Sequence, residues 1–218
     1  MLAAAGRGER LGGDRPKAFA RLGDLPMVAE PLRRLEDSDW IDGIVVAAPP
    51  GWEEPCIVLA EELGAGKVTS VVTGGETRAE SVRIALAEIP DDAAVVVVHD
   101  AARPILPEEV LERVVAALSE GFDGAVPVLP VADTVKRVRA GEVVETLERA
   151  ELVVAQTPQA FVASALRLGL SGLQPLSDWT DCASVVEAGG GRIKAVEGDR
   201  RLLKVTSPED LELVSKWL

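Results

Sequence analysis

The stretch AAAGRGERLGGDRPKAF, from Ala3 to Phe19, combines closely spaced glycines with a high density of fixed positive charge. Small residues let a backbone come close to a polyanion, and exposed N–H groups in such a turn bind phosphate oxygens. Arg10 and Lys17 lie where their side chains could hold a triphosphate. The stretch therefore predicts a nucleotide-binding loop in an α/β fold, with a surface turn of solvated arginines as the alternative.

The glycine spacing argues against two better-known nucleotide loops. Gly6, Gly8 and Gly12 give the pattern GxGxxxG, which is not the dinucleotide fingerprint, and no Gly-Lys-Ser/Thr follows as in a Walker A loop. The dinucleotide loop also lacks this density of cations. A different class of nucleotide site is therefore expected.

Composition limits the possible classes of protein. The 218 residues are 47% hydrophobic but only 3% aromatic, which suits a single domain over residues 1–218 with an aliphatic core. The net charge of −13 disfavours a general nucleic-acid or anionic-membrane surface. Cys56 and Cys182 lie too far apart for a metal motif or a disulfide framework. With no apolar run of about 18 residues and no signal peptide, we expect a cytoplasmic location.

Short β-branched runs alternate with helical patterns through the first half of the chain. This alternation predicts a Rossmann-like, mostly parallel sheet with helices on both faces. The predicted strands are Gly43–Ala48, Lys67–Val72 and Ala93–His99. The predicted helices are Pro26–Asp37, Trp52–Leu63, Thr77–Ile89 and Glu108–Glu120. Only Met1 and Leu2 precede the glycine loop, so the first strand is expected to be very short or to lack residues upstream.

The pattern then changes to an expected β arm over residues 131–149. Two strand-like runs, Val131–Arg139 and Glu142–Leu147, flank Ala140-Gly141 and predict a hairpin. The remaining predicted elements are helices Phe161–Leu170, Thr180–Ala188 and Pro208–Trp217 and strands Arg192–Val196 and Leu202–Val205.

A second candidate site is VTGGETRAES, residues 72–81. Gly74 and Gly75 end a strand, Thr77 can cap the next helix, and Ser81 is expected to point back towards the loop. Such a turn can approach a flat base edge closely, although an ordinary strand-to-helix turn has the same pattern.

A third candidate is VVVVHDAARP, residues 95–104, at a strand end where open α/β sheets bind ligands. Asp100 there is a natural Mg²⁺ ligand, with phosphates and water completing the shell, but it could instead cap a helix or pair with Arg103. His99 is expected to be structural. Near the end of the chain, Lys204 between Leu203 and Val205 is a cation inside a predicted strand, an unusual place for a lysine without a function.

These motifs in this order resemble the 2-C-methyl-D-erythritol 4-phosphate cytidylyltransferase family of the non-mevalonate isoprenoid pathway. The resemblance covers Ala3 to Leu213 and rests on AAGxGxR with PK, GGxxRxxSV, VHDAARP, Thr157-Pro158-Gln159 and KVTxPEDL. It implies the nucleotide-diphospho-sugar transferase type of α/β fold, with the β arm forming a homodimer.

The resemblance also implies roles for individual residues. Ala4, Ala5 and Gly6 would line the CTP site, and Arg10 and Lys17 would hold the triphosphate. Gly75, Glu76 and Ser81 would recognise cytosine and ribose. Ala101 would contact the ribose, and Asp100 would bind Mg²⁺. Thr134, Arg149, Thr157 and Thr180 would surround the methylerythritol phosphate with Arg103 and Lys204, Arg149 reaching into the partner's site. Two departures from the family pattern are Glu76, where Asp is frequent, and Cys182, where Glu is common.

The implied reaction joins CTP and 2-C-methyl-D-erythritol 4-phosphate and releases pyrophosphate. The catalytic set would be Arg10, Lys17, Asp100 and Lys204, with no covalent intermediate. Three alternatives stay open at this point: a ribitol-5-phosphate cytidylyltransferase, a guanylyl- or sugar-nucleotidyltransferase, and a non-catalytic nucleotide-binding module.

Overall fold

The computed structural model describes residues 1–6, 15–172 and 179–218. The strands are β1 (Leu2–Ala3), β2 (Arg21–Leu22), β3 (Leu25–Pro26), β4 (Ile44–Ala48), β5 (Val68–Thr73), β6 (Val95–Asp100), β7 (Gly124–Pro130), β8 (Lys136–Arg139), β9 (Glu142–Thr146), β10 (Val153–Ala155), β11 (Gln159–Val162) and β12 (Ile193–Glu197). The α-helices are α1 (Ala29–Asp37), α2 (Glu53–Glu62), α3 (Arg78–Leu86), α4 (Glu108–Ala116), α5 (Ala163–Gly172), α6 (Cys182–Ala188) and α7 (Pro208–Ser215).

The main sheet has the order β10-β7-β11-β6-β1-β4-β5, and β12 also pairs with β7. Strands β5, β4, β1 and β6 are parallel neighbours, and β12 runs parallel to β7. Strands β10 and β11 are antiparallel to the strands that they contact. The predicted mostly parallel sheet is therefore confirmed, and it brings the carboxyl ends of β1, β4, β5 and β6 to one edge.

Both faces of the sheet are covered because alternate residues of a strand point to opposite sides. In β4, Val45 and Ala47 pack into the cluster with α3, α5 and α6. Ile44, Val46 and Ala48 pack into the cluster with α1 and α2. All five residues of β4 are buried, as expected for a parallel strand between two helical layers.

Several predicted boundaries are corrected by the structure. Leu202–Val205 forms no strand; Leu202 and Val205 are buried, and the Val205 N–H donates to the carbonyl of Ala102. The helix predicted from Phe161 begins at Ala163, since residues 159–162 form β11 between β6 and β7. Strand β7, which the sequence analysis missed, contains Pro127 and Pro130, and proline is unusual inside a sheet.

The predicted hairpin is present as β8 and β9, which form a separate two-stranded sheet. Ala140 and Gly141 at its turn both have positive φ angles, 49° and 85°. Every residue of both strands is exposed, including Val138, Val143 and Val144. Within the described ranges, no helix is both long and apolar enough to span a membrane.

Candidate active site

A cavity of about 810 Å³ opens at the carboxyl edge of the sheet. Its walls come from the segments that follow β1, β5 and β6 and from the segment before α7, as the sheet topology requires. Ten predicted site residues line it: Ala4, Ala5, Gly6, Lys17, Gly75, Glu76, Ser81, Asp100, Ala101 and Lys204. The separate sequence candidates therefore converge on one site.

The loop after β5 packs tightly against the loop after β1. The Gly74 N–H donates to the carbonyl of Ala48 at 2.8 Å, which carries the end of β5 over the end of β4. A Cβ atom added at Gly74 would collide with the Cβ of Ala5 and lie 3.0 Å from the Ser81 hydroxyl. Glycine is required here because the two loops approach closely.

Helix α3 holds the same loop through its first turns. Thr77 caps the helix by accepting a hydrogen bond from the Glu80 N–H at 3.1 Å, as predicted. The Ser81 hydroxyl accepts from the Gly75 N–H at 3.0 Å and donates to the Thr77 carbonyl at 2.9 Å. Glu80 accepts from the Glu76 N–H at 2.9 Å. Hydrogen bonds to Ser81 and Glu80 of α3 therefore hold the Gly74–Gly75 loop in place.

Asp100 is a buried carboxylate that pairs with two cations at the cavity. Its Oδ1 accepts from Arg78 Nε at 2.8 Å, and its Oδ2 accepts from Lys204 Nζ at 2.7 Å. Burial alone would raise the pKa of this carboxyl, but the charges and hydrogen bonds of the two cations hold it below its ordinary range. Asp100 is therefore an anion at neutral pH.

Arg78 is the site residue that the sequence analysis did not assign, although it is the arginine of the GGxxRxxSV motif. It lines the cavity and also donates from Nη1 to the Cys182 sulfur at 3.3 Å. Burial raises the pKa of the Cys182 thiol, so a neutral group accepts this bond. Cys182 thus contacts Arg78 without adding a second negative charge beside it.

Lys204 reaches Asp100 from a segment outside the regular elements, since the strand predicted around it is absent. The segment is fixed by the bond from Val205 to Ala102 and by Arg103, whose guanidinium donates to the carbonyl of Leu202. Arg103 is therefore a support for the Lys204 segment and lies outside the cavity lining. Thr206 belongs to the KVTxPEDL motif, although no role was predicted for it; it lines the cavity and donates to Asp210 at 2.8 Å.

Among the residues that the structure describes, the remaining predicted site residues are not part of the cavity lining. Thr157 is buried behind it, and its Oγ1 accepts from the Asp100 N–H at 3.0 Å. Thr134 and Arg149 lie at the base of the arm and are exposed, and Thr180 is exposed just before α6. Arg10 lies outside the described residues. His99 is buried, and its burial lowers the pKa of the imidazole to about 4, which fits the predicted structural role.

The donor chemistry of the cavity fits a magnesium ion. Each Asp100 oxygen accepts from one cation, Arg78 or Lys204, and a carboxylate oxygen has a second lone pair that a metal ion could use. Glu76 and Glu80 also line the cavity. Within residues 1–6, 15–172 and 179–218, no group of three or more His, Cys, Asp or Glu side chains is arranged to hold a metal. Mg²⁺ is usually bound through one or two carboxylates together with substrate phosphates and water, so a single well-placed Asp suffices.

Comparison with known proteins identifies the family. The family model for 2-C-methyl-D-erythritol 4-phosphate cytidylyltransferase (IspD) matches residues 1–218. A protein of that name from Frankia casuarinae is 44% identical over 221 residues, and the match covers 100% of this chain and 80% of the relative. Another from Saccharopolyspora erythraea is 42% identical over 222 residues, and the match covers 100% of this chain and 97% of the relative. The crystal structure of a 4-diphosphocytidyl-2C-methyl-D-erythritol synthase superposes with a TM-score of 0.82 at 32% identity, covering 99% of this chain and 95% of the other. The chain therefore belongs to the 2-C-methyl-D-erythritol 4-phosphate cytidylyltransferase family.

Proposed function

We propose that this protein transfers the cytidylyl group of CTP to 2-C-methyl-D-erythritol 4-phosphate. A phosphate oxygen of the acceptor attacks the α-phosphorus of CTP in line, the bond from that phosphorus to the bridging oxygen breaks, and pyrophosphate leaves. The products are 4-diphosphocytidyl-2-C-methyl-D-erythritol and pyrophosphate. The observation that carries the proposal is the convergence of Lys17, Asp100 and Lys204 on one cavity, in a chain of this family.

The chemistry requires positioned charge more than proton transfer. The acceptor phosphate is already an anion at pH 7, so no general base is needed. Two anions must be brought together, and the charge on the α-phosphate and the leaving group must be stabilised. Lys17 holds the triphosphate beside the Ala4–Gly6 backbone, and Lys204 supplies a second cation at the reacting end.

Asp100 would hold a Mg²⁺ ion that accompanies the triphosphate. When bound, the ion neutralises phosphate charge and orients the α-phosphate for displacement. Arg78 keeps the Asp100 carboxylate in place from the buried side, because only 21% of the Arg78 side chain is exposed, compared with 42% of Lys204. Lys204 is the more accessible partner of Asp100 and faces the substrates.

We also propose that the arm formed by β8 and β9 binds a second copy of this chain. An isolated two-stranded hairpin is marginally stable in water, and this one exposes Val138, Val143 and Val144 to 56%, 62% and 50%. The resemblance names a second copy as the occupant and places Arg149 in the partner's site. Arg149 is absent from the cavity lining of its own subunit, as that arrangement requires.

The cytoplasm is the proposed location of the reaction. Cys56 and Cys182 are both free and buried, which suits a reducing compartment.

The test is pyrophosphate release from CTP and Mg²⁺ with either 2-C-methyl-D-erythritol 4-phosphate or ribitol 5-phosphate as acceptor. We expect release with the first alone, since the curated relatives described above carry its name. Release with ribitol 5-phosphate alone would contradict the acceptor assignment, and CTP binding without release with either acceptor would leave a nucleotide-binding module. Replacing CTP by GTP tests the guanylyltransferase alternative in the same assay.

A further inference from the structure

Four polar groups at the back of the cavity form one hydrogen-bonded chain. The Asp100 N–H donates to Thr157 Oγ1 at 3.0 Å, Thr157 Oγ1 lies 3.2 Å from His99 Nδ1, and His99 Nε2 lies 2.9 Å from the carbonyl oxygen of Arg103. His99 is 0% exposed and Thr157 is 4% exposed. Water therefore does not compete for these bonds.

The chemistry of the groups fixes the direction of each bond. A carbonyl oxygen only accepts, so His99 Nε2 carries the hydrogen that is shared with Arg103. In a neutral imidazole the other nitrogen is then an acceptor, and it takes the hydroxyl hydrogen of Thr157. The Thr157 oxygen in turn accepts from the Asp100 N–H. The Thr157 hydroxyl is thus engaged within the protein both as donor and as acceptor.

This hydrogen-bonded chain joins both ends of the turn from Asp100 to Arg103. One end is the Asp100 amide, held through Thr157, and the other is the Arg103 carbonyl, held by the imidazole. Within the turn, the Arg103 N–H donates to the Asp100 carbonyl at 2.9 Å, and the Ala102 carbonyl accepts from Val205 beside Lys204. A shift of the imidazole would therefore move both Asp100 and the segment that carries Lys204.

We propose that His99 is a positioning residue that acts through Thr157 to set the place of Asp100 relative to Lys204. Thr157 is then a support for the catalytic turn, whereas the family resemblance implies that it surrounds the acceptor. The kinetic part of this inference rests on the proposed function of Asp100, but the hydrogen-bonded chain itself does not.

The first test is the tautomer of His99 by ¹⁵N NMR at neutral pH. His99 is the only histidine in the sequence, so its two ring nitrogens are identified without further variants. We expect a neutral ring with the hydrogen on Nε2 and an acceptor resonance for Nδ1. A ring with the hydrogen on Nδ1, or an imidazolium, would overturn the proposal whatever the substrate of the enzyme.

The second test separates support from substrate contact with Thr157→Val and Thr157→Ser. Valine keeps nearly the same volume but cannot hydrogen-bond. We expect Thr157→Val to lower kcat roughly tenfold or more with little change in the KM of the acceptor, because small displacements of catalytic groups are costly. Serine retains the hydroxyl and is expected to restore most of the activity.

Two outcomes of the kinetic test would overturn the proposal: a raised acceptor KM at unchanged kcat in Thr157→Val, or wild-type kcat in that variant. A parallel Asp100→Asn variant separates the proposed function of Asp100 from the hydrogen-bonded chain behind it. If Asp100→Asn remains fully active while the His99 tautomer is as expected, the function of Asp100 is wrong and the hydrogen-bonded chain stands. If Thr157→Val does not fold, the tautomer measurement still decides.

Discussion

Lys204 donates a hydrogen bond of 2.7 Å to the Oδ2 atom of Asp100 across 104 positions of sequence. Arg78 donates to the Oδ1 atom of the same carboxylate. One buried anion therefore joins the end of β6, the first turn of α3 and the segment before α7, and this contact lies at the centre of the proposed catalytic site.

The first prediction concerns stability. Asp100→Asn should destabilise the protein by about 3–5 kcal/mol at pH 7, because it leaves the mostly buried Arg78 cation without its counter-charge. Because the pKa of Asp100 is lowered in the folded state, its stabilisation is complete above the ordinary aspartate pKa of about 4 and declines as the pH falls below that value. Urea unfolding of the wild type and the variant at pH 7 and at about pH 3 should therefore give a smaller difference at the lower pH.

An exposed ion pair supplies the control for that measurement. Lys216, the residue that follows α7, donates from Nζ to Oε1 of Glu212 in that helix at 2.8 Å, and more than half of each side chain is exposed. Glu212→Gln should change the free energy of unfolding by less than about 1 kcal/mol at either pH. An equal loss in both variants at pH 7 would contradict the central position of Asp100.

Lys17 provides the second prediction. Lys17→Ala should reduce turnover by about a hundredfold or more, on the order of 3 kcal/mol, since it removes a positioned cation from the triphosphate. Lys216→Ala, at an exposed lysine that is not part of the cavity lining, is the matched control and should keep wild-type turnover. Steady-state pyrophosphate release measures both, and wild-type turnover in Lys17→Ala would remove Lys17 from the mechanism.

The third prediction tests the close approach of two loops. Gly74→Ala should destabilise the protein by about 1–3 kcal/mol and raise the KM for CTP, because the added methyl group collides with Ala5 at the cavity wall. Gly66→Ala is a suitable control, since its added methyl group would only reach ordinary contact with Glu36 at 3.7 Å. Unchanged CTP kinetics in Gly74→Ala would show that this loop does not shape the nucleotide site.

The arm provides the fourth prediction. Arg149→Ala should mainly weaken binding of the acceptor phosphate, while Arg33→Ala, at an exposed arginine on α1 outside the arm and the cavity lining, should not. If Arg149 serves the partner's site, a mixed dimer of Arg149→Ala and Lys17→Ala subunits contains one intact site, so activity should return on mixing. Two inactive homodimers that stay inactive after subunit exchange would contradict the shared site.

Much of the fold follows from the sequence because its signals are local. The β-branched run at residues 44–48 and the cap at Thr77 each predict their element without tertiary information. Convergence of the loops also follows, since the carboxyl ends of parallel strands meet at one edge. The curated relatives then favour the methylerythritol acceptor among the alternatives that the motifs left open.

The missed features depend on distant contacts. Pro127 and Pro130 argue against a strand at β7 in the sequence, because proline is unusual inside a sheet. The strands that pair with β7 come later in the chain. Leu202 and Val205 beside Lys204 are buried without strand pairing, so their apolar pattern resembled that of a strand. Arg78 looks like a solvated charge on a helix until Asp100, 22 positions away, is placed beside it. Local patterns contain no signal for such pairings.

The most direct test of the account is exchange of labelled pyrophosphate into CTP by the enzyme and Mg²⁺ without any acceptor. Direct attack by the acceptor phosphate predicts no exchange under these conditions, and exchange that begins only when 4-diphosphocytidyl-2-C-methyl-D-erythritol is added. Exchange in the absence of acceptor and product would reveal a cytidylyl-enzyme intermediate and would contradict catalysis by positioned cations alone.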